Sequence, residues 1–83
     1  MKLTISRAML EALEHAADKP DWLAQRLASL RAGPEPFVLS LGTQESTALE
    51  ELCAMNIRFD AAGKVLDRHQ PLDDLATMIM QNY

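Results

Sequence analysis

Residues 36–42 read Pro-Phe-Val-Leu-Ser-Leu-Gly, and this stretch decides the fold class. Its apolar run is bounded by a proline and a glycine, which interrupt regular structure on both sides. Phe37, Leu39 and Leu41 would share one face of an extended chain, because side chains alternate between the faces of a strand. The run therefore predicts a short buried strand near the middle of the chain.

Helical patterns lie on both sides of this strand. The first is expected over residues 6–18, with Ser6 as its N-cap, and the second over residues 20–32, with Gly33 in a left-handed conformation at its end. A third is expected to follow Thr43 as N-cap. The last helix opens at Pro71, and its inward stripe comprises Leu72, Leu75, Ala76 and Ile79.

A turn pattern occupies residues 60–63, Asp-Ala-Ala-Gly. Aspartate at the first position and glycine at the fourth are typical of a type I turn. The flanking segments 57–59 and 64–66 are short and contain β-forming residues, so they predict a β-hairpin.

Together these elements predict an α+β fold class: a small two-layer single domain over residues 1–83, with a helical N-terminal half followed by β-α-β-β-α. The segment between residues 42 and 56 is long enough for a crossover, so the strands at Phe37 and Ile57 are expected to pair in parallel within a three- to four-stranded mixed sheet. If residues 2–5 form a further strand, the order of elements is similar to that of the thioredoxin fold. The Cys-x-x-Cys motif of that fold's redox members is missing, so no redox chemistry is expected.

Charge is distributed unevenly along the chain. The formal net charge is −4, and residues 43–83 contain all of the excess, with seven acidic and three basic side chains. Such a balance disfavours nucleic acid and anionic membranes as partners and favours another protein with a basic surface. No signal peptide precedes the first helix and there is one cysteine, which together predict a cytoplasmic protein without disulfides.

Few residues offer chemistry. Cys53 falls on the inward stripe of the third helix, which predicts a core cysteine rather than a nucleophile. Asp67 and His69 form an acid–base pair with no nucleophile beside it. Ser46 opens the third helix, as the modified serine of acyl carrier proteins does, but the Asp-Ser-Leu context of those proteins is missing. The histidines and the cysteine are too few for a zinc site, so no catalytic residue, metal or cofactor is expected.

Aromatic, methionine and acidic residues offer a contact surface instead. Trp22 precedes Arg26 by one helical turn, so the guanidinium can lie against the indole ring. Met78 and Met80 fall on opposite flanks of the last helix, so one of them should be exposed. The predicted partner-binding residues are Trp22, Asp73, Asp74, Met78, Met80 and Tyr83. The sequence thus predicts a non-enzymatic protein-interaction or regulatory module, with a homodimer as one form. The alternative is a small carrier or a thioredoxin-like-fold protein without redox chemistry.

Overall fold

Residues 1–82, which the computed structural model describes, form four α-helices and a two-stranded antiparallel sheet. In chain order the elements are β1 (Lys2–Ile5), α1 (Arg7–Glu14), α2 (Asp21–Ala32), β2 (Phe37–Ser40), α3 (Thr43–Asn56) and α4 (Gln70–Gln81). A 3-10 turn over Asp67–His69 leads directly into α4. The fold is α+β, and helices predominate in it.

The sheet separates its side chains cleanly between core and solvent. Leu3 pairs with Leu39 and Ile5 with Phe37 across the two strands, and each of these four is at most 3% exposed. The alternate residues of both strands are exposed on the opposite face. The alternation that predicts a strand from Phe37 onward is therefore confirmed, and residues 2–5 supply its partner.

The helices close the core over the inner face of the sheet. α3 and α4 pack against each other, α1 packs against both α2 and α4, and α2 lies beside β2. The stripe predicted for the last helix is confirmed, since Leu72, Leu75 and Ile79 are buried and Ala76 is partly buried against the core. Burial of these stripes supplies the main driving force for folding.

The predicted three- to four-stranded mixed sheet is wrong. β2 pairs with β1, in antiparallel orientation, and the predicted parallel pairing with residues 57–59 does not form. The predicted order of a helical N-terminal half followed by β-α-β-β-α fails with it, as does the likeness to the thioredoxin order of elements. β1 pairs with β2 along four residues and buries Leu3 and Ile5 opposite Leu39 and Phe37, whereas Phe59 bridges Val65 within its own turn and stays exposed.

The turn at residues 60–63 itself is confirmed. Gly63 N–H donates to the Asp60 carbonyl at 3.0 Å, and Gly63 has a φ of 81°, a left-handed conformation that glycine adopts without strain. The flanks are joined by a single bridge between Phe59 and Val65. The predicted hairpin therefore exists as a small surface unit apart from the sheet, and residues 57–66 are called the surface hairpin below.

The ends of the first two helices differ in part from the predictions. α1 ends at Glu14 rather than Asp18, because Asp18 has a φ of 64° and the Lys19 ammonium bonds the Glu14 and Ala16 carbonyls. Gly33 ends α2 in an extended rather than a left-handed conformation, with φ −100° and ψ 174°. Ser6 caps α1 as predicted, since its side chain accepts from Met9 N–H at 3.1 Å.

The start of α3 is also displaced by one residue. Gly42 is its N-cap in place of the predicted Thr43, and the Glu45 carboxylate accepts from Gly42 N–H at 2.8 Å. A carboxylate three residues into a helix satisfies an amide that would otherwise lack a partner.

None of the helices in residues 1–82 has the length and apolar character needed to cross a bilayer.

Candidate protein-interaction groove

An open groove of about 820 Å³ runs between α2 and the outer side of β2. Its floor is β2 with the chain that follows it, and its wall is the side of α2 that carries Trp22, Arg26 and Leu30. The lining residues used below are Lys2, Trp22, Arg26, Val38, Ser40 and Glu45. We call this the α2–β2 groove.

Backbone polar groups of β2 face this groove. Met1 and Leu41 exchange backbone hydrogen bonds of 2.8 Å and 2.6 Å, so they are a hydrogen-bonded pair, and this shows which residues of β2 bond to β1. In an antiparallel pair, every second residue bonds its partner strand and the residues between direct their amides the other way. Val38 and Ser40 therefore direct their N–H and C=O groups away from β1.

Arg26 confirms that direction. Its guanidinium reaches from α2 to the Ser40 carbonyl and donates at 3.0 Å. Val38 N–H, Val38 C=O and Ser40 N–H remain as an unextended edge, since β2 has β1 as its one strand neighbour within residues 1–82. An open edge of this kind is a template on which another chain can pair.

The groove wall is a preorganised aromatic and ionic cluster. The Arg26 guanidinium lies over the Trp22 ring, 4.9 Å from its centroid, as the spacing of these residues predicts. The same guanidinium makes two contacts with the Glu45 carboxylate, at 2.7 Å and 2.6 Å. The cluster thus joins α2, β2 and the first turn of α3.

Electrostatics reinforce this cluster. Hydrogen bonds from Arg26, and then from Gly42 N–H, hold the pKa of Glu45 below its ordinary value. The hydrogen bond to Glu45 in turn raises the pKa of Arg26. Both groups therefore stay charged across the physiological range, and the charge that Arg26 places over the indole ring is retained.

Two further residues shape what the groove can accept. Val38 is 43% exposed and presents an apolar side chain on the outer face of the sheet. Lys2 lies at one end of the groove and takes part in none of the ion pairs found within residues 1–82. An extended ligand would meet an apolar contact at Val38 and a positive charge at Lys2.

The predicted partner-binding residues that the structure describes lie on two helices. Trp22 lines the α2–β2 groove, whereas the other described ones belong to α4. Met80 is 61% exposed and Met78 is partly buried against the core, which confirms that one of the two is exposed. Tyr83 lies outside the described residues.

The acidic residues of α4 are held at its first turn. Asp73 is partly buried and Asp74 is exposed, and the Gln70 side-chain amide donates to Asp74 at 3.0 Å and to Asp73 at 3.4 Å. Carboxylates at this end of a helix are stabilised by its dipole. Their placement is explained by the helix, with no ligand required.

The residues considered for chemistry occupy structural positions. Cys53 is fully buried, and burial raises the pKa of its thiol to about 12, with a contribution from the nearby charge of Glu50. Ser46 is 1% exposed, and its hydroxyl donates to the Gly42 carbonyl at 2.9 Å, so no exposed hydroxyl is presented for a prosthetic arm. Within residues 1–82, no three His, Cys, Asp or Glu side chains cluster as a metal site.

Most contacts that form the groove cannot be predicted from the sequence. The pairing of Trp22 with Arg26 is predictable from their spacing, but the meeting of Arg26 with Glu45 and Ser40 depends on how α2 lies beside β2. One signal was present: Val38 is an apolar residue at an outward position of the predicted strand.

Comparisons of the chain with protein-family models, with curated proteins and with solved structures find no match in any of the three.

Proposed function

We propose that this chain is a non-enzymatic protein-interaction module that binds an extended segment of another protein along the β2 edge of the α2–β2 groove. The observation that carries the proposal is the set of β2 backbone groups directed into the groove beside the Trp22–Arg26 wall. Strand addition to an open edge gives affinity through main-chain hydrogen bonds and specificity through neighbouring side-chain contacts. The expected ligand is extended, apolar where it passes Val38 and acidic near Lys2.

A protein is a better fit to the chain as a whole than nucleic acid or a membrane. The net charge of −4 repels phosphates and anionic lipids, and the buried, free thiol of Cys53 suits the reducing cytoplasm, where we place the protein. The acidic first turn of α4 and the exposed Met80 provide a second area, suited to a basic patch on the partner.

The direct test uses peptides selected from a random displayed library on the purified chain. Val38→Pro removes an N–H that faces the groove, while the ladder to β1 is kept, because proline is tolerated where a strand's N–H points away from its neighbour. Thr4→Pro is the matched control, since Thr4 pairs with Val38 and directs its N–H to the opposite edge. We expect Val38→Pro to weaken selected peptides at least about tenfold and Thr4→Pro to leave them unchanged.

Two results would contradict the proposal. Equal binding to both proline variants would place the peptides elsewhere, and a selection that yields no binder would leave the groove without a ligand of this class. A second copy of this chain, pairing through its own β2 edge, is the competing occupant. Native mass spectrometry at increasing concentration identifies it as a dimer that Val38→Pro abolishes.

A further inference from the structure

The surface hairpin is built mainly from its own hydrogen bonds. Asp60 Oδ1 accepts from Ala62 N–H at 2.9 Å and from Lys64 N–H at 3.0 Å. Asp60 N–H donates to the Lys64 carbonyl at 2.8 Å, and Leu66 N–H donates to the Arg58 carbonyl at 3.0 Å. The turn and its flanks are therefore held together by bonds within the hairpin, whereas Ile57 at its base bonds the Cys53 carbonyl and packs against the core.

One side chain attaches its first strand to the start of α4. Arg58 N–H donates to His69 Nδ1 at 2.9 Å. His69 is the residue before α4, and its own N–H donates to the Leu66 carbonyl at 2.8 Å, so the imidazole is held at the base of the hairpin. The bond spans eleven residues and closes the hairpin onto the helix that follows it.

This bond requires one protonation state of the imidazole. Nδ1 accepts a hydrogen bond only in the neutral ring with its proton on Nε2, whereas the imidazolium has two donors and no acceptor. A proton on Nδ1 would face the Arg58 N–H, and two donors would then oppose each other. We propose that His69 is a pH-sensitive latch: the neutral ring holds the surface hairpin against α4, and protonation releases it.

The surroundings of His69 leave room for this change. The ring borders a cavity of about 410 Å³. The charged and titratable groups that line this cavity with His69 are Glu11 and His15 from α1 and Asp67 and Arg68 from the 3-10 turn. The first turn of α4, which follows His69 in the chain, carries Asp73. The cavity gives the ring space to turn when it gains a proton. Two carboxylates line it, that of Asp67 and that of Glu11, which also lies 3.9 Å from the Arg31 guanidinium.

Release of the hairpin changes an exposed apolar surface. Phe59 is on the hairpin and Met55 lies on the α3 turn just before it, and they are 62% and 58% exposed. The Arg58 guanidinium also bonds the Met55 and Ile57 carbonyls, so displacing Arg58 disturbs the end of α3 as well. The latch would therefore change the position of Phe59 relative to Met55, both of which are already exposed while the hairpin is held.

The test is an NMR titration of the ¹⁵N-labelled chain between pH 8 and 5, the range in which histidine side chains ordinarily titrate. At pH 8 we expect His69 with its proton on Nε2 and a scalar coupling through the hydrogen bond between Arg58 ¹⁵N and His69 Nδ1. As His69 takes up its proton, the coupling should vanish and the protection factor of the Arg58 amide should fall about tenfold. Asp60 and Lys64 should keep their protection, because their bonds lie within the hairpin.

Two variants distinguish protonation of His69 from other effects of low pH on the protein. His69→Phe should show the low Arg58 protection at every pH, while His15→Gln, across the same cavity, should behave like the parent chain. A proton on Nδ1 at pH 8 would overturn the proposal, and so would Arg58 protection that stays constant while His69 titrates. The titration of the parent chain decides the matter even if His69→Phe fails to fold.

Discussion

Replacing Leu39 with alanine is expected to destabilise the domain strongly, because Leu39 is 1% exposed and lies opposite Leu3 at the centre of the inner sheet face. Leucine-to-alanine changes at such positions cost about 2–5 kcal/mol, from the lost transfer free energy and the cavity left behind. A domain of 83 residues has about 4–12 kcal/mol of stability in total. A loss near 3 kcal/mol should lower the Tm by about 12–24 °C.

The neighbouring residue provides the control. Val38→Ala changes a side chain that is 43% exposed on the outer face, so it should cost less than about 1 kcal/mol. Both variants are compared by thermal and urea unfolding monitored by circular dichroism. Equal losses, or a larger loss for Val38→Ala, would refute the register of β1 against β2, since a slip of one residue exchanges the two faces.

Two further predictions concern buried groups and α4. Burial raises the pKa of the Cys53 thiol to about 12, so the thiol stays protonated in the folded state while it ionises above about pH 9 in the unfolded chain. The contribution of Cys53 to stability is therefore present below about pH 9 and is lost as pH rises toward about 12. Alkaline unfolding curves should show this loss in the parent chain and lack it in Cys53→Ala. Met78→Glu should destabilise the fold, because Met78 packs against the core, whereas Met80→Glu should leave the Tm nearly unchanged. Equal Tm values for the two α4 variants would show that the helix is rotated from the position described.

Local signals in the sequence predict the elements well and their pairing poorly. The cap at Ser6, the turn at residues 60–63 and the stripe of α4 each depend on neighbours within a few residues, and all three form. The pairing of the sheet does not depend on near neighbours, because residues 2–5 and residues 57–59 are both short segments that could pair with β2. Both segments have alternating apolar residues, so their patterns do not distinguish them; in the structure Leu3 and Ile5 are buried against β2, and Phe59 pairs with Val65.

The candidate site shows the same limit. Trp22 and Arg26 are one turn apart, and their stacking follows from helix geometry. The contacts of Arg26 with Ser40 and Glu45 join residues that are 14 and 19 positions away, so only the packing of α2 beside β2 reveals them. The sequence therefore predicts the aromatic wall of the groove but not its strand edge.

The central claim is that a partner segment adds to β2 within the α2–β2 groove, and amide exchange tests it most directly. The measurement compares the exchange rates of individual amides in the ¹⁵N-labelled chain with and without a selected peptide. The Val38 and Ser40 amides should exchange more slowly in the complex, while the Thr4 amide at the opposite edge should be unchanged. Protection that appears on α4 or at the Thr4 edge, with Val38 and Ser40 unaffected, would contradict it.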